Sequence, residues 1–334
     1  MGVLYIAGTG PGCGKTALVA GLALTLRGQG QAPIALKPLA SPQDADNAFY
    51  RRLLPDMPEM KGLPAPLSAE GAMPRHVAES LGILVRSGRP LLLEGLDGLD
   101  PASPVGRASA RLAVEASARV VLIARYHPAL KGEELVSARA LFGERLIGVV
   151  VNGVWRYQGH TARARIAPSL ERAGLRVLGL VPEDRKMTAP TVAEVARCVD
   201  GEIRLYPEKG EERVEAIMVG GWPLDEGEYV FSRWGHKAVV VRADRPDLHM
   251  AALATSTTCL VLTGGMEPVQ YTVYQAEQAG VPLVWTRLPT LEALERLEGV
   301  AQMATVRVPA KAQHYADLLA RHTDLGALLR TLTG

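Results

Sequence analysis

Residues 5–21 read YIAGTGPGCGKTALVAG. An apolar run enters a glycine-rich turn, and the turn ends in Gly14-Lys15-Thr16 ahead of a stretch with helical spacing. Strand, glycine loop and helix in that order form the context of a phosphate-binding loop. Gly10, Gly12 and Gly14 permit positive φ, so successive backbone N–H groups can converge on phosphate oxygens, and the helix beginning near Lys15 adds its positive end. In such a loop Lys15 reaches the β- and γ-phosphates and the Thr16 hydroxyl binds Mg2+. The expected nucleotide contacts are therefore Thr9, Gly10, Gly12, Cys13, Gly14, Lys15, Thr16 and Ala17. One position departs from G-x-x-x-x-G-K-[ST]: where its first glycine belongs stands Thr9, with Gly8 one step earlier.

Outward from the loop, short apolar runs alternate with helical patterns, which predicts βα units around a mainly parallel sheet. The runs are 3–8, 33–38, 90–95, 119–126, 146–154 and 176–183, mostly apolar on consecutive positions as strands covered on both faces should be. Residues 200–213, DGEIRLYPEKGEER, are charged and broken by proline and glycine, and read as a linker or a domain edge. A second alternating series follows: VEAIMVGG, KAVVVRAD, TCLVLTGG and VPLVWTR. The fold class expected is α/β, a P-loop NTPase-type parallel sheet with helices on both faces plus a smaller α/β domain. The boundaries expected are 1–200 and 211–310, with a helical segment at 311–334 that packs across the domains.

A net charge of +2 carries no electrostatic footprint for nucleic acid or an acidic membrane surface, and aromatic residues make up only 5% of the chain. No apolar run reaches the roughly 18 residues needed to cross a bilayer, and the amino terminus lacks the basic flank of a signal peptide. A cytoplasmic protein is expected, with no nucleic-acid or membrane partner. The three cysteines, Cys13, Cys198 and Cys259, have neither disulfide nor zinc spacing.

Further motifs carry a family resemblance. GTGPGCGKT (8–16) resembles the loop of dethiobiotin synthetases, which also opens on Gly-Thr, so the displaced glycine is a variant of that family. KPLAS (37–41), LLLEGLDGLDP (91–101), GVVVNGV (148–154) and LGLVPED (178–184) follow in the family's order and at compatible spacing. The resemblance implies ATP and Mg2+ as cofactors. It places Glu94 on the metal opposite Thr16 and Lys37 against the reacting carboxylate or carbamate, so that Lys15 and Lys37 are the candidate catalytic cations. It also puts Asn152 on the adenine edge, helped by backbone at Pro182 and Glu183. A second metal carboxylate is expected from Asp44 or Asp46, the other serving as a helix N-cap, and spacing does not choose between them.

The chain is also similar to the amino-terminal region of some phosphate acetyltransferases, where the same nucleotide domain precedes a DRTGG domain. Asp244, Arg245, Thr263, Gly264 and Gly265 supply the residues of that name. They either form a small anion pocket at strand ends or pin turns. Nothing after residue 310 resembles an acetyltransferase catalytic domain, so a free-standing two-domain protein is expected.

Substrate features depart from the synthetases. Gly10 and Gly12 replace acidic loop residues, Leu96 and Asp97 replace small ones, and LPAPLSAEG (63–71) lacks the substrate segment. Dethiobiotin formation is therefore not expected. Two readings follow: an ATP-binding sensor or regulatory module acting on a protein partner or through a homodimer, and an ATP-dependent enzyme activating a small carboxylate or carbamate.

Overall fold

In the computed structural model of the chain, residues 2–68, 73–221 and 227–333 are described; residues 69–71 of the stretch compared above with the substrate segment lie outside them. Contacts group Met1–Asp184 with Val306–Gly334 in one compact unit and Arg185–Thr305 in another.

The first unit is built on six strands: β1 (Val3–Gly8), β2 (Ile34–Leu36), β3 (Leu91–Asp97), β4 (Arg119–Arg125), β5 (Leu146–Val154) and β6 (Val177–Pro182). All pair in parallel, in the order β2-β3-β1-β4-β5-β6. The order reverses around β1, and ligands of open α/β sheets bind at the carboxyl ends of strands where that happens. The glycine loop follows β1 at this point. Alternate β1 residues serve opposite faces. Val3, Tyr5 and Ala7 share a core with Val77 and Leu81 of α3 (Arg75–Arg86) and Leu112 of α4 (Pro104–Glu115). Leu4 and Ile6, on the other face, are fully buried as well. Helices therefore cover both sides.

The helix after the loop, α1 (Lys15–Gly28), is buried nearly all round. Its outer side is covered by the helix Pro309–His322, and Gly21 lets the two approach. A Cβ at Gly21 would lie 3.0 Å from Leu319 Cδ1 and 3.2 Å from Tyr315 Cδ1. The carboxyl-terminal helical segment thus belongs to the first unit.

The second unit carries β7 (Glu202–Leu205), β8 (Ala216–Gly220), β9 (Lys237–Arg242), β10 (Thr257–Thr263) and β11 (Leu283–Trp285), in the order β7-β11-β10-β9-β8. Only β7 runs antiparallel. The expected boundary near residue 200 falls inside this unit. The helix Val192–Cys198, held by a Thr191–Glu194 capping box, puts Val192 and Val195 into a core with Val240 and Val261. The linker reading of 200–213 is corrected too. Glu202-Ile203-Arg204-Leu205 alternates exposed charge with half-buried aliphatics, the period of an edge strand, and β7 pairs with β11.

Gly21→Leu is expected to force the crossing of α1 and Pro309–His322 apart and to cost about 1–3 kcal/mol, as overpacking does; urea unfolding of the two proteins measures the difference.

Candidate functional site

Of the three loop glycines read as permitting positive φ, Gly12 and Gly14 take it and Gly10 does not. Gly12 and Gly14 have φ of 69° and 110°, in the left-handed region. A side chain at Gly14 would also fall on the Asn152 amide, so the position is closed to other residues twice over. Among the described residues, the N–H groups of Gly12, Cys13 and Gly14 donate to no backbone carbonyl. Thr9 is tied to β4: its N–H donates to Ile123 O at 3.2 Å and its hydroxyl accepts from Arg125 N at 3.4 Å. Ala17 is buried in α1. Cys13 is buried and its thiol pushed up by burial, which keeps it protonated and unreactive.

Behind the loop the charged residues gather. The Lys15 ammonium, itself buried, forms an ion pair with the half-exposed Asp97. The Thr16 hydroxyl lies 3.2 Å from Asp46 Oδ1 and 3.2 Å from Glu94 Oε1. Local structure distinguishes the two aspartates. Asp44 caps α2 (Ala45–Leu53), accepting from the N–H groups of Asp46 and Asn47 at 3.0 Å each. Asp46, two residues on, turns towards Thr16. Lys37 Nζ meets Asp46 Oδ2 at 2.8 Å and Asp44 Oδ2 at 3.2 Å.

Burial sets the protonation of this group. It pushes the Glu94 carboxyl up to about 7, and the charge of Asp46 adds to the rise; the Tyr50 hydroxyl, donating to Glu94, and the two lysines oppose it. Burial would raise Asp46 as well, but hydrogen bonds and charge from Lys37 and Arg307 outweigh it and hold that carboxyl below its usual range. Burial pulls the Lys37 ammonium down, while its pairing with Asp46 and Asp44 and the nearby Glu94 carry the net direction upward.

Four participants lie outside the expected set. Tyr50 bonds Glu94. Asn47 clamps the Lys37 backbone, accepting from its N–H and donating to its carbonyl, both at 2.9 Å. Asp97 pairs with Lys15, and Arg307 Nε reaches Asp46 Oδ1 at 2.8 Å. A strand-end carboxylate such as Asp97 is a signal that could have been read; Arg307, 261 residues from its partner, left none.

Asn152 is placed against the loop. Its Nδ2 donates to Cys13 O at 2.9 Å and its Oδ1 accepts from the Tyr315 hydroxyl at 2.9 Å, so both ends of the amide are engaged within the first unit. Pro182 ends β6, and the Glu183 N–H donates to Val154 O at 2.8 Å.

In the second unit the DRTGG residues lie at and just past the ends of the paired strands β9 and β10, where the Ala243 N–H donates to Thr263 O at 3.1 Å. Asp244 pairs with Arg242, and Arg245 pairs with Asp247. Thr263 Oγ1 is 2.7 Å from Thr290 Oγ1. Gly264 and Gly265 both have positive φ, and their N–H groups donate to Leu288 O and Thr286 O.

The donor set fits a small divalent cation. Mg2+ prefers hard oxygen ligands and is commonly held by one or two carboxylates with water and phosphate completing the shell. A hydroxyl and two carboxylates converge here, and among the described residues no group of three or more His, Cys, Asp or Glu is arranged as a metal site by itself.

A phosphate loop at the switch point of a parallel sheet, backed by a hydroxyl and two carboxylates, defines a P-loop nucleotide-binding type of domain. Residues 3–191 match the family model of an AAA domain, and residues 194–300 match that of a DRTGG domain. The ATP-dependent dethiobiotin synthetase BioD of Saccharopolyspora erythraea is 30% identical over 59% of this chain and 94% of its own length. The chain belongs to this AAA-domain family, with the synthetase as a relative and a DRTGG domain following. The phosphate acetyltransferase of Pseudomonas putida is 22% identical over 97% of this chain and 51% of its own, so the chain spans about half the length of that relative. Among solved structures, the MinD cell division protein of Aquifex aeolicus is 14% identical, covering 56% of this chain and 84% of that one at a TM-score of 0.39. The CBS and DRTGG domains of the Clostridium perfringens pyrophosphatase regulatory region, also 14% identical, cover 36% and 50% at 0.30.

Because folding raises the Glu94 carboxyl from 4.5 to about 7, its contribution to stability is full below about pH 4.5 and is lost as pH rises through about 7. Glu94→Gln keeps an acceptor for Tyr50 and cannot ionise. In metal-free buffer its stability relative to the parent is expected to rise by on the order of 2–3 kcal/mol between about pH 5 and pH 8, measured by denaturant unfolding across that range.

Proposed function

We propose that the protein is an ATP-binding regulatory module. The first unit takes MgATP on the glycine loop, turns it over slowly, and reports its occupancy to a protein partner or through a homodimer in the cytoplasm. One observation carries the reading: the Thr16 hydroxyl stands 3.2 Å from both Asp46 and Glu94, immediately behind the phosphate loop. In that position Thr16 and the two carboxylates would hold Mg2+, which neutralises phosphate charge when bound. The loop N–H groups and Lys15 would grip the phosphates, with Asp97 giving up the ammonium.

The regulatory reading is preferred to carboxylate activation because Lys37, the cation that would face a second substrate, is already ion-paired with Asp44 and Asp46. The departures at Gly10, Gly12, Leu96 and Asp97 from the synthetase pattern support the same preference.

Isothermal titration calorimetry with ATP and Mg2+ tests the binding, and Lys15→Ala is expected to weaken it about tenfold or more through loss of charge-assisted bonds to phosphate. Phosphate release with and without a panel of small carboxylates separates the two readings. Slow release indifferent to the carboxylates is expected, whereas strong stimulation by one of them would reject the regulatory assignment.

A further inference from the structure

Two carbonyls of the glycine loop are held from outside it. Gly12 O accepts from Arg125 Nη1 at 3.2 Å, and Cys13 O accepts from Asn152 Nδ2 at 2.9 Å. A trans peptide is planar, so its C=O and its N–H point in opposite directions. Fixing these two carbonyls therefore turns the Cys13 and Gly14 N–H groups the other way. Among the described residues neither N–H donates to a backbone carbonyl. Successive N–H groups turned to one side make a concavity that takes an anion.

Asn152 is oriented in its turn. Cys13 O can only accept, so the NH2 end of the amide has to face it, and the oxygen end is left to Tyr315. The Tyr315 hydroxyl donates to Asn152 Oδ1 at 2.9 Å. Tyr315 is 2% exposed, and a buried phenol normally finds one partner for its hydroxyl. Arg125, the holder of the other carbonyl, is exposed. The sheltered support of the loop is thus the chain Tyr315–Asn152–Cys13. An adenine edge asks an asparagine for paired donor and acceptor groups; here the donor end is engaged by the loop and the acceptor end by the helix Pro309–His322.

We propose that Asn152 and Tyr315 are positioning residues of the phosphate loop. The Tyr315 hydroxyl sets the Asn152 amide, the amide sets the Cys13 carbonyl, and the Gly14 N–H is thereby aimed at the phosphate chain. The proposal rests on the reading of the glycine loop as the nucleotide site given above, and adds which part of the ligand Asn152 serves. Because the pair acts through the loop, it contributes alike to every ligand that carries a polyphosphate, whatever the base.

Calorimetry in the presence of Mg2+ tests it, with inorganic tripolyphosphate, ATP and GTP each titrated into the full chain, N152A and Y315F. N152A is expected to weaken all three ligands about tenfold, and Y315F, which keeps the ring and removes only the hydroxyl, about threefold. A loss confined to ATP would assign Asn152 to the base and overturn the proposal. A second measurement needs no ligand. Iodoacetamide labelling read by peptide mass spectrometry compares Cys13, buried in the loop, with Cys259, buried in the second unit. Both variants should label Cys13 about threefold faster or more than the parent, through local opening of the loop, with Cys259 unchanged. Equal acceleration at both cysteines reports general loosening and rejects the positioning role; if N152A does not fold, Y315F decides alone. Should the parent bind none of the three ligands, the nucleotide reading falls and the Cys13 labelling alone decides whether the pair sets the loop. If the parent binds ATP and both variants match it in affinity and labelling, the positioning role falls and the nucleotide site stands.

Discussion

A carboxylate taken out of water has to be neutralised, and the neutralisation of Asp46 organises the ligand end of the first unit. An isolated buried charge costs several kcal/mol, so it survives only with partners of opposite sign and satisfied lone pairs. Asp46 obtains them from three separate stretches of chain: Thr16 from the loop, Lys37 from the end of β2, and Arg307 from the return of the chain after the second unit. Each partner is itself positioned by backbone bonding. Asn47 fixes the Lys37 main chain, Asp44 fixes the start of α2, and Arg52 fixes the carbonyl of Arg307. Glu94, next to this group, is handled differently. With Tyr50 as donor and no cation in direct contact among the described bonds, it reduces its charge by retaining a proton near neutrality. Two neighbouring carboxylates with different environments thus divide into one ionised and one partly protonated.

How much of this was legible in the chain depends on the range of the interaction. Strand β1 and the loop to Thr16 are readable because strand, turn and helix are local. The left-handed φ at Gly12 and Gly14 follows from the residues themselves. The choice between Asp44 and Asp46 was not readable, although both lie in one short segment. A helix can begin at either residue by spacing, and only the cap geometry shows which carboxylate is spent on backbone N–H groups. Strand β7 was hidden for another reason: its exposed Glu202 and Arg204, with Gly201, Pro207 and Gly210 nearby, made an edge strand look like a linker. Arg307 was invisible because one arginine among 29 in the chain carries no local mark of its partner.

Asn152 illustrates a residue whose importance was legible and whose contacts were not. A turn-forming asparagine at the end of β5 stands out where only two asparagines exist. Its amide nevertheless binds the Cys13 carbonyl and the Tyr315 hydroxyl, joining the loop to the helix Pro309–His322. That helix in turn needs Gly21 on α1 to come so near. The carboxyl-terminal segment therefore acts on the loop from two sides, through Asn152 and through the packing of α1, the helix that presents Lys15 and Thr16.

The pairing of Lys15 with Asp97 bears on what kind of event ligand binding is. The ammonium is 7% exposed and its partner 44% exposed, so the acid end of the pair borders water while the basic end does not. Releasing Asp97 into solvent is inexpensive for that carboxylate, whereas leaving Lys15 unpaired in its buried place is costly. An incoming phosphate that replaces Asp97 exchanges one anion for another at a fixed cation. In such an exchange the buried partner would stay and the more exposed partner yield. A site arranged in this way has the charges of Lys15 and Asp46 already paired before any ligand arrives, so a ligand binds there by exchanging partners and not by supplying a first counter-charge.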